Sequence, residues 1–295
     1  MAKVSVCIAF SMAATLFAAE PQQELHPLPS SLTQREILEQ ACRIIAPGVE
    51  HRTLYFKNPF GDGPVNVNML IVYWKEVSRT FSLGIASCGG IRKRPSQMGE
   101  AAGALAIVNG GYHLTTDPTI PYFPVKINGI VLPGKEPRGD TALAFGTGEM
   151  PVIDRFSKEL LDKSPNVISA DGITDFQHDP NGKVSRAPRT FIGQSASNQV
   201  TVIAVADGRT PQSVGVDFYG ACMLVVPFGC EKVLSLDGGG SSVMAIRKGA
   251  GNPSGEARPT PPTPLEIVSN PCDNGKFDAG GERRVCDGIM LIDRR

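Results

Sequence analysis

The segment Leu236-Asp237-Gly238-Gly239-Gly240-Ser241-Ser242 sets one carboxylate, three glycines and two hydroxyls just after the apolar pair Val233-Leu234. An acid leaving the end of a buried strand is held by the strand behind it. Glycines beyond it let the backbone take positive φ and bring its N–H groups close to a ligand. N–H groups gathered in a turn concavity suit an anion such as phosphate. A plain Gly-rich hairpin or linker is the competing reading, but linkers seldom place an acid so soon after an apolar run. Further polar clusters stand beside apolar runs at Asn109-Gly110-Gly111-Tyr112, Ala187-Pro188-Arg189-Thr190 and Glu282-Arg283. Singly each is weak, since Asn-Gly is commonly a turn and an arginine commonly a surface ion pair. Polar groups at strand ends converge on one face of a sheet, so together they predict a site.

The elements that must carry these clusters follow from periodicity and turn chemistry. Thr33-Gln34-Arg35-Glu36 fits a capping box, opening a helix with Ile37, Leu38, Ala41, Ile44 and Ile45 on its apolar face and Pro47-Gly48 at its end. Strands are predicted over 49–57, 65–74 and 81–86, the first two joined through Gly61-Asp62-Gly63-Pro64. A short helix over 96–103 leads into a buried strand over 104–108. Residues 125–131 read as two short strands about Asn128-Gly129. Strands over 142–145, 167–170, 190–192 and 200–206 continue the sheet, with a helix over 156–162. A helix over 217–226 is stopped by Pro227 and Gly229. The stretch 253–264 reads as an exposed Pro-rich loop. The expected fold is α+β, with mixed β-sheets and flanking helices in a single compact domain.

Bulk properties narrow the function. The 295 residues carry 29 Lys+Arg against 29 Asp+Glu, so there is no basic field for nucleic acid. Lys3, the apolar run from Val4 to Phe17 and the small Ala18-Ala19 form a secretory signal peptide over residues 1–19, too short for a membrane span. Residues 20–47 form a leader and N-terminal helix, and residues 48–295 the functional domain. The expected location is secreted or periplasmic. Cys7 falls in the removed part, leaving Cys42, Cys88, Cys222, Cys230, Cys272 and Cys286. An even count in an exported protein permits disulfides. Cys272 with Cys286 is the first choice; Cys222 with Cys230 on one helix would sit roughly 12 Å apart, too far to bridge. Free buried cysteines are the alternative. No cysteine has metal-ligand spacing with a histidine.

The order of motifs resembles the phosphodiester glycosidase family, from about Gly48 to the C-terminus. The resemblance rests on NGGY at Asn109, the DG pair at Asp171-Gly172, PRTFIG at Pro188, LDGGGSS at Leu236 and ERRV at Glu282. Gly215-Val216-Asp217-Phe218 and Asn270-Pro271-Cys272-Asp273 match as well. There are departures. His113 stands where the family usually has an aromatic, residues 249–264 look like an insertion, and Cys286-Asp287 replace small residues or Asn.

The resemblance implies hydrolysis of a sugar-1-phosphodiester, of N-acetylglucosamine type on a phosphorylated glycan, with cleavage of the glycosidic C–O bond. Such a substrate needs its phosphodiester held and its developing oxocarbenium charge offset. Arg189 and Arg283 suit the first task, because a guanidinium grips two phosphate oxygens, helped by N–H groups of Gly238, Gly239 and Gly240. Asp237 suits the second, as general base or nucleophile. Asp237, Asn109 and Arg189 are thus the expected catalytic residues. Gly110, Gly111, Asp171, Gly238, Gly239, Gly240, Ser241 and Arg283 are the expected substrate contacts. Arg283 has the alternative of a surface pair with Glu282 or Asp273, Ser241 and Ser242 of capping the turn. His113 reads as a sugar contact or surface residue ahead of a proton carrier. No cofactor is called for; calcium at Asp237 or Asp171 stays open, since scattered oxygen ligands leave little sequence trace. A glycan-phosphate binding module and a phosphodiesterase cleaving P–O are the alternatives. Mass spectrometry of the exported form checks the N-terminus: it is expected to lack the first ~19 residues, and retention of Met1 to Ala19 would refute the signal peptide.

Overall fold

The computed structural model describes residues 34–114, 116–117, 119–132, 134–136, 140–172, 186–251 and 261–294. The expected signal peptide, Thr33, His178, Asp179 and most of the expected Pro-rich loop lie outside them. Strands β1 (Cys42–Ala46), β2 (Val49–Phe56) and β3 (Val65–Tyr73) open the fold after the one-turn helix α1 (Gln34–Leu38). Then come α2 (Trp74–Val77), β4 (Phe81–Ser87), α3 (Pro95–Ala102), β5 (Ala104–Asn109), β6 (Val125–Ile127), β7 (Ile130–Leu132), β8 (Thr141–Phe145) and β9 (Val152–Arg155). The remainder is α4 (Lys158–Lys163), β10 (Asn166–Gly172), β11 (Arg189–Ser195), β12 (Val200–Ala206), α5 (Phe218–Val225), β13 (Lys232–Ser235), β14 (Met244–Arg247), β15 (Leu265–Ile267) and β16 (Asp287–Asp293).

These strands form two hydrogen-bonded sheets. One has eleven strands in the order β1-β2-β3-β12-β11-β13-β10-β6-β7, with β8 and β9 branching from β10; the other has five, ordered β15-β14-β5-β16-β4. The sheets pack face to face. Leu70, Ile192, Ile203 and Leu234 of the larger sheet meet Val108, Met244, Ile289 and Leu291 of the smaller in one core. Strand side chains alternate between faces, and the alternate residues Val67, Met69, Ile71, Val202 and Val233 build a second core under α5 and α1. On the outer face of the smaller sheet, Ile107, Ala245 and Met290 pack with Met98 of α3. The order of layers is therefore helix, large sheet, small sheet, helix. With both faces covered, β3 and β12 are buried almost throughout, which explains their continuous apolar runs.

Most expected elements are present, with instructive exceptions. Asn128 (φ 48°) and Gly129 (φ 86°) make the β6–β7 turn, as the Asn-Gly pair predicts. Asp217 caps α5, its Oδ1 accepting from Gly220 N at 2.7 Å. The long N-terminal helix is wrong. Only Gln34–Leu38 is helical, its last carbonyl accepting from Arg52 Nη1 at 2.7 Å. Residues 42–46 form β1, antiparallel to β2, with Pro47-Gly48 (φ 71°) as the hairpin turn. Ile44 is exposed beside buried Ile45, which is strand alternation rather than one helix face. The sheet thus takes in residues assigned to the leader. The mixed sheets are also corrected: among the described residues every strand ladder is antiparallel, and the helices are few and short, so the single domain is mostly β.

The expected Cys272–Cys286 bridge is not formed; all six described cysteines are free thiols. Cys272 instead makes a backbone bridge with Gly281, and the Cys286 thiol donates to Asp287 Oδ2 at 3.1 Å. Among the described residues no helix is long and apolar enough to cross a membrane. The layer order makes a direct prediction. Leu70→Ala and Met69→Ala empty opposite faces of β3, and each is expected to cost about 2–5 kcal/mol in urea unfolding. A cost below about 0.5 kcal/mol for either would mean that face is solvated.

Candidate active site

The site forms where the two sheets meet. Asn109, at the end of β5, is 0% exposed. Its Nδ2 donates to the Asp237 carbonyl at 2.7 Å. Its Oδ1 accepts from Thr190 Oγ1 at 2.6 Å and Val243 N at 3.2 Å. Asp237 N in turn donates to the Gly110 carbonyl at 3.1 Å, and Leu236 N to the Thr190 carbonyl at 2.9 Å. One amide from the small sheet therefore straps down the strand end of the large sheet that carries Asp237. Both polar atoms of Asn109 are spent inside the protein, so the direct ligand contact expected of it gives way to holding Asp237. Behind the strap, Gly110 N and Gly111 N donate to the Asp287 carbonyl (3.0 Å) and Oδ1 (2.8 Å). A Cβ on Gly110 would collide with that carboxyl, which is why glycine is required there. Gly110 and Gly111 thus seat on Asp287 in place of a ligand. Asp287 is 2% exposed, and burial pushes its carboxyl up to about 6.

The Asp237 carboxyl is half-buried, and Oδ2 lies 3.4 Å from His113 Nδ1. Burial raises its pKa, while the Ser241 hydroxyl, His113, the Gly238 N–H and Arg283 pull it back. Burial lowers the pKa of His113, against the pull of the Asp237 charge. Ser241 lies within a tight turn over Gly239–Ser241, and its hydroxyl and that of Ser242 are buried. Neither caps the turn. His113 is correspondingly no surface residue.

Two of the three glycine N–H groups have partners within the protein. Gly238 N–H serves the Asp237 carboxyl, Gly239 N donates to the Pro188 carbonyl at 2.8 Å, and Ser241 N to the Gly238 carbonyl at 3.2 Å. What the glycines provide is close approach. A Cβ on Gly239 (φ 60°) would lie 3.0 Å from Arg209 Nη2, one on Gly238 would stand 4.0 Å from Arg189 Nη1, and one on Gly240 would collide with Arg283 and Asp273. Arg209 and Arg283 thus press on the turn beside the acid, while Arg189 stands at an ordinary contact distance.

These arginines are held in different ways. Arg283 is paired with Asp273, Nε to Oδ2 at 2.6 Å and Nη2 to Oδ1 at 2.7 Å, so the ion-pair alternative describes it. Arg189 lies half-buried with Cζ 4.1 Å over the Phe218 ring, and its Nε donates to the Val216 carbonyl at 3.3 Å. Arg209, which sequence reasoning missed, is exposed in the turn Asp207-Gly208-Arg209 at φ 61°. Asp207 fixes that turn: it is 2% exposed, Oδ1 accepts from Asn270 N at 2.8 Å, and Oδ2 accepts from Asn66 and Asn270 Nδ2 at 2.6 and 2.8 Å. A signal existed, because an acid and a glycine follow the apolar run Val200–Ala206 just as they follow Val233-Leu234. Asp171 reaches the site through its backbone, paired with Ser235 beside Leu236. Among the described residues no cluster of three or more His, Cys, Asp or Glu side chains is placed to hold a metal ion.

Comparison with known proteins shows the fold and the family. The zebrafish N-acetylglucosamine-1-phosphodiester alpha-N-acetylglucosaminidase catalytic domain, auto-inhibited by its pro-peptide, superposes with a TM-score of 0.63 at 15% identity, over 84% of this chain and 85% of that one. A Burkholderia pseudomallei protein described as exported superposes with a TM-score of 0.58 at 15% identity, over 81% of this chain and 75% of that one. At such identity the likeness shows a shared fold. A search of curated proteins finds no match. The model of the phosphodiester glycosidase family matches residues 102–291, which span Asn109, Arg189, Arg209, Asp237 and Arg283. The chain is therefore a member of the phosphodiester glycosidase family.

Proposed function

We propose that this chain is an exported hydrolase that cleaves the glycosidic C–O bond of a sugar-1-phosphodiester, with an N-acetylglucosamine-type sugar on a phosphorylated glycan. The observation that carries this reading is the half-buried Asp237 carboxyl set at the start of a glycine turn with Arg209 pressed against it and Arg189 alongside. Arg189 and Arg209 take the phosphodiester, a guanidinium being matched to two phosphate oxygens; Arg283, paired with Asp273, takes a lesser part. Asp237 works at the anomeric carbon. Phosphate leaves readily, so no second carboxylic acid need protonate the leaving group. Asn109, Gly110, Gly111 and Asp287 hold that carboxylate in place. The exported description of the Burkholderia relative and the N-terminal signal pattern support export.

Asp237→Asn tests the assignment. It keeps the shape and removes the base, and is expected to lower kcat on a sugar-1-phosphodiester about 10²–10⁴-fold; wild-type turnover would remove Asp237 from the chemistry. Arg209→Ala is expected to lower kcat/KM about 10–150-fold, the loss of a charge-assisted contact. Because burial holds the Asp237 carboxyl above the ordinary aspartate range and the ionised form is the active one, kcat/KM is expected to rise with pH through that raised value. A profile flat down to the pKa of a free aspartate would contradict the role.

A further inference from the structure

We infer that His113 is the proton partner of Asp237, receiving at Nδ1 the proton that Asp237 collects from the attacking water; the inference rests on the hydrolase reading above. Nδ1 is buried 3.4 Å from Asp237 Oδ2, with no made hydrogen bond among the described residues. That separation exceeds an N–H···O bond by a few tenths of an ångström and closes with a small ring movement. The backbone that carries the ring is tied down. Its residue is bridged to Pro121, Leu114 N donates to the Ile120 carbonyl at 3.1 Å, and Tyr122 N to the Tyr112 carbonyl at 2.7 Å. This strap continues directly from the Asn109–Gly111 segment that seats Asp237, so both members of the pair share one foundation.

Burial favours a neutral resting imidazole, and the Asp237 charge pulls the other way. Arg283 and Arg92 both oppose its protonation, and only Asp237 favours it. Asp287 acts on the pair through Asp237, against whose charge it is buried. A neutral imidazole beside a carboxylate is a proton acceptor in waiting. When water attacks the anomeric carbon, the new C–O bond forms as the bond from that carbon to the phosphate oxygen breaks. The electron pair leaves on the phosphomonoester and the water proton goes to Asp237. That proton passes from Oδ2 to the unprotonated Nδ1 of an imidazole carrying its hydrogen on Nε2. Nε2 gives its proton to bulk water, and proton exchange with solvent returns the ring to the Nε2–H tautomer, so carboxylate and imidazole are both ready again. His113 acts through Asp237 and is a positioning and relay residue.

The decisive test is independent of substrate. Ring-nitrogen NMR of the folded wild-type protein follows His113 among only four histidines, in wild type and Asp237→Asn. A shared proton predicts that the His113 pKa falls in Asp237→Asn, since the carboxylate that favours the imidazolium is gone. An unchanged His113 titration would overturn the inference. Kinetics on the methyl phosphodiester of N-acetylglucosamine-1-phosphate separates it from the broader reading. His113→Asn is expected to lower kcat at least 10-fold and move the acid limb to higher pH, and added imidazole to restore His113→Gly but not Asp237→Asn. If Asp237→Asn is inactive while His113→Asn keeps the wild-type rate and pH profile, the relay fails and the hydrolase reading stands. If Asp237→Asn is fully active, the hydrolase reading fails first.

Discussion

The structure around the acid depends on one buried amide. Asn109 leaves the small sheet fully enclosed and bonds the Asp237 carbonyl, the Thr190 hydroxyl and the Val243 N–H. These three partners belong to the acid turn, to β11 and to the segment entering β14. Because a buried amide with an unmade bond costs more than the bond itself gives, the three partners are locked together or lost together. Asp287 braces the same turn from behind, through two N–H groups of Gly110 and Gly111. The two sheets meet face to face over an apolar core, but their relative position at the site is set by this polar junction.

Electrostatics then grades the groups on that frame. Asp287 is fully enclosed and pushed up to about 6. Asp237 is half-buried and raised more gently, since a hydroxyl, an N–H and Arg283 oppose desolvation. Arg189 loses water to Phe218, while Arg209 stays exposed. Two carboxylates do the placing: buried Asp207 fixes the turn bearing Arg209 and holds Asn270, three residues before the exposed Asp273 that clamps Arg283. The positions of Arg209 and Arg283 are thus set by acids.

Much of this was legible in the sequence because its signals were local. Asn128-Gly129 requires a left-handed turn, Asp217 caps the helix it precedes, and the runs at β3 and β12 are apolar on both faces because both faces are covered. The polar clusters at strand ends did converge. What failed was non-local. Residues 42–46 have an apolar pattern that fits a helix until β2 offers its edge, and pairing decides for strand. The glycines after Asp237 read as an N–H cradle for phosphate, and only the fold adds that the missing side chains of Gly239 and Gly240 make room for Arg209 and Arg283. Arg209 escaped notice because its turn has meaning only once Asn66 and Asn270 close on Asp207. Asn109 looked like a ligand contact for the same reason, since its three partners lie 81 to 134 residues away.

The central claim is that water attacks carbon at Asp237 while the arginines hold a departing phosphate. Hydrolysis of a sugar-1-phosphodiester in ¹⁸O-labelled water reads this directly. The account predicts the heavy oxygen in the free sugar and none in the phosphomonoester; label in the phosphate would show P–O cleavage and contradict it.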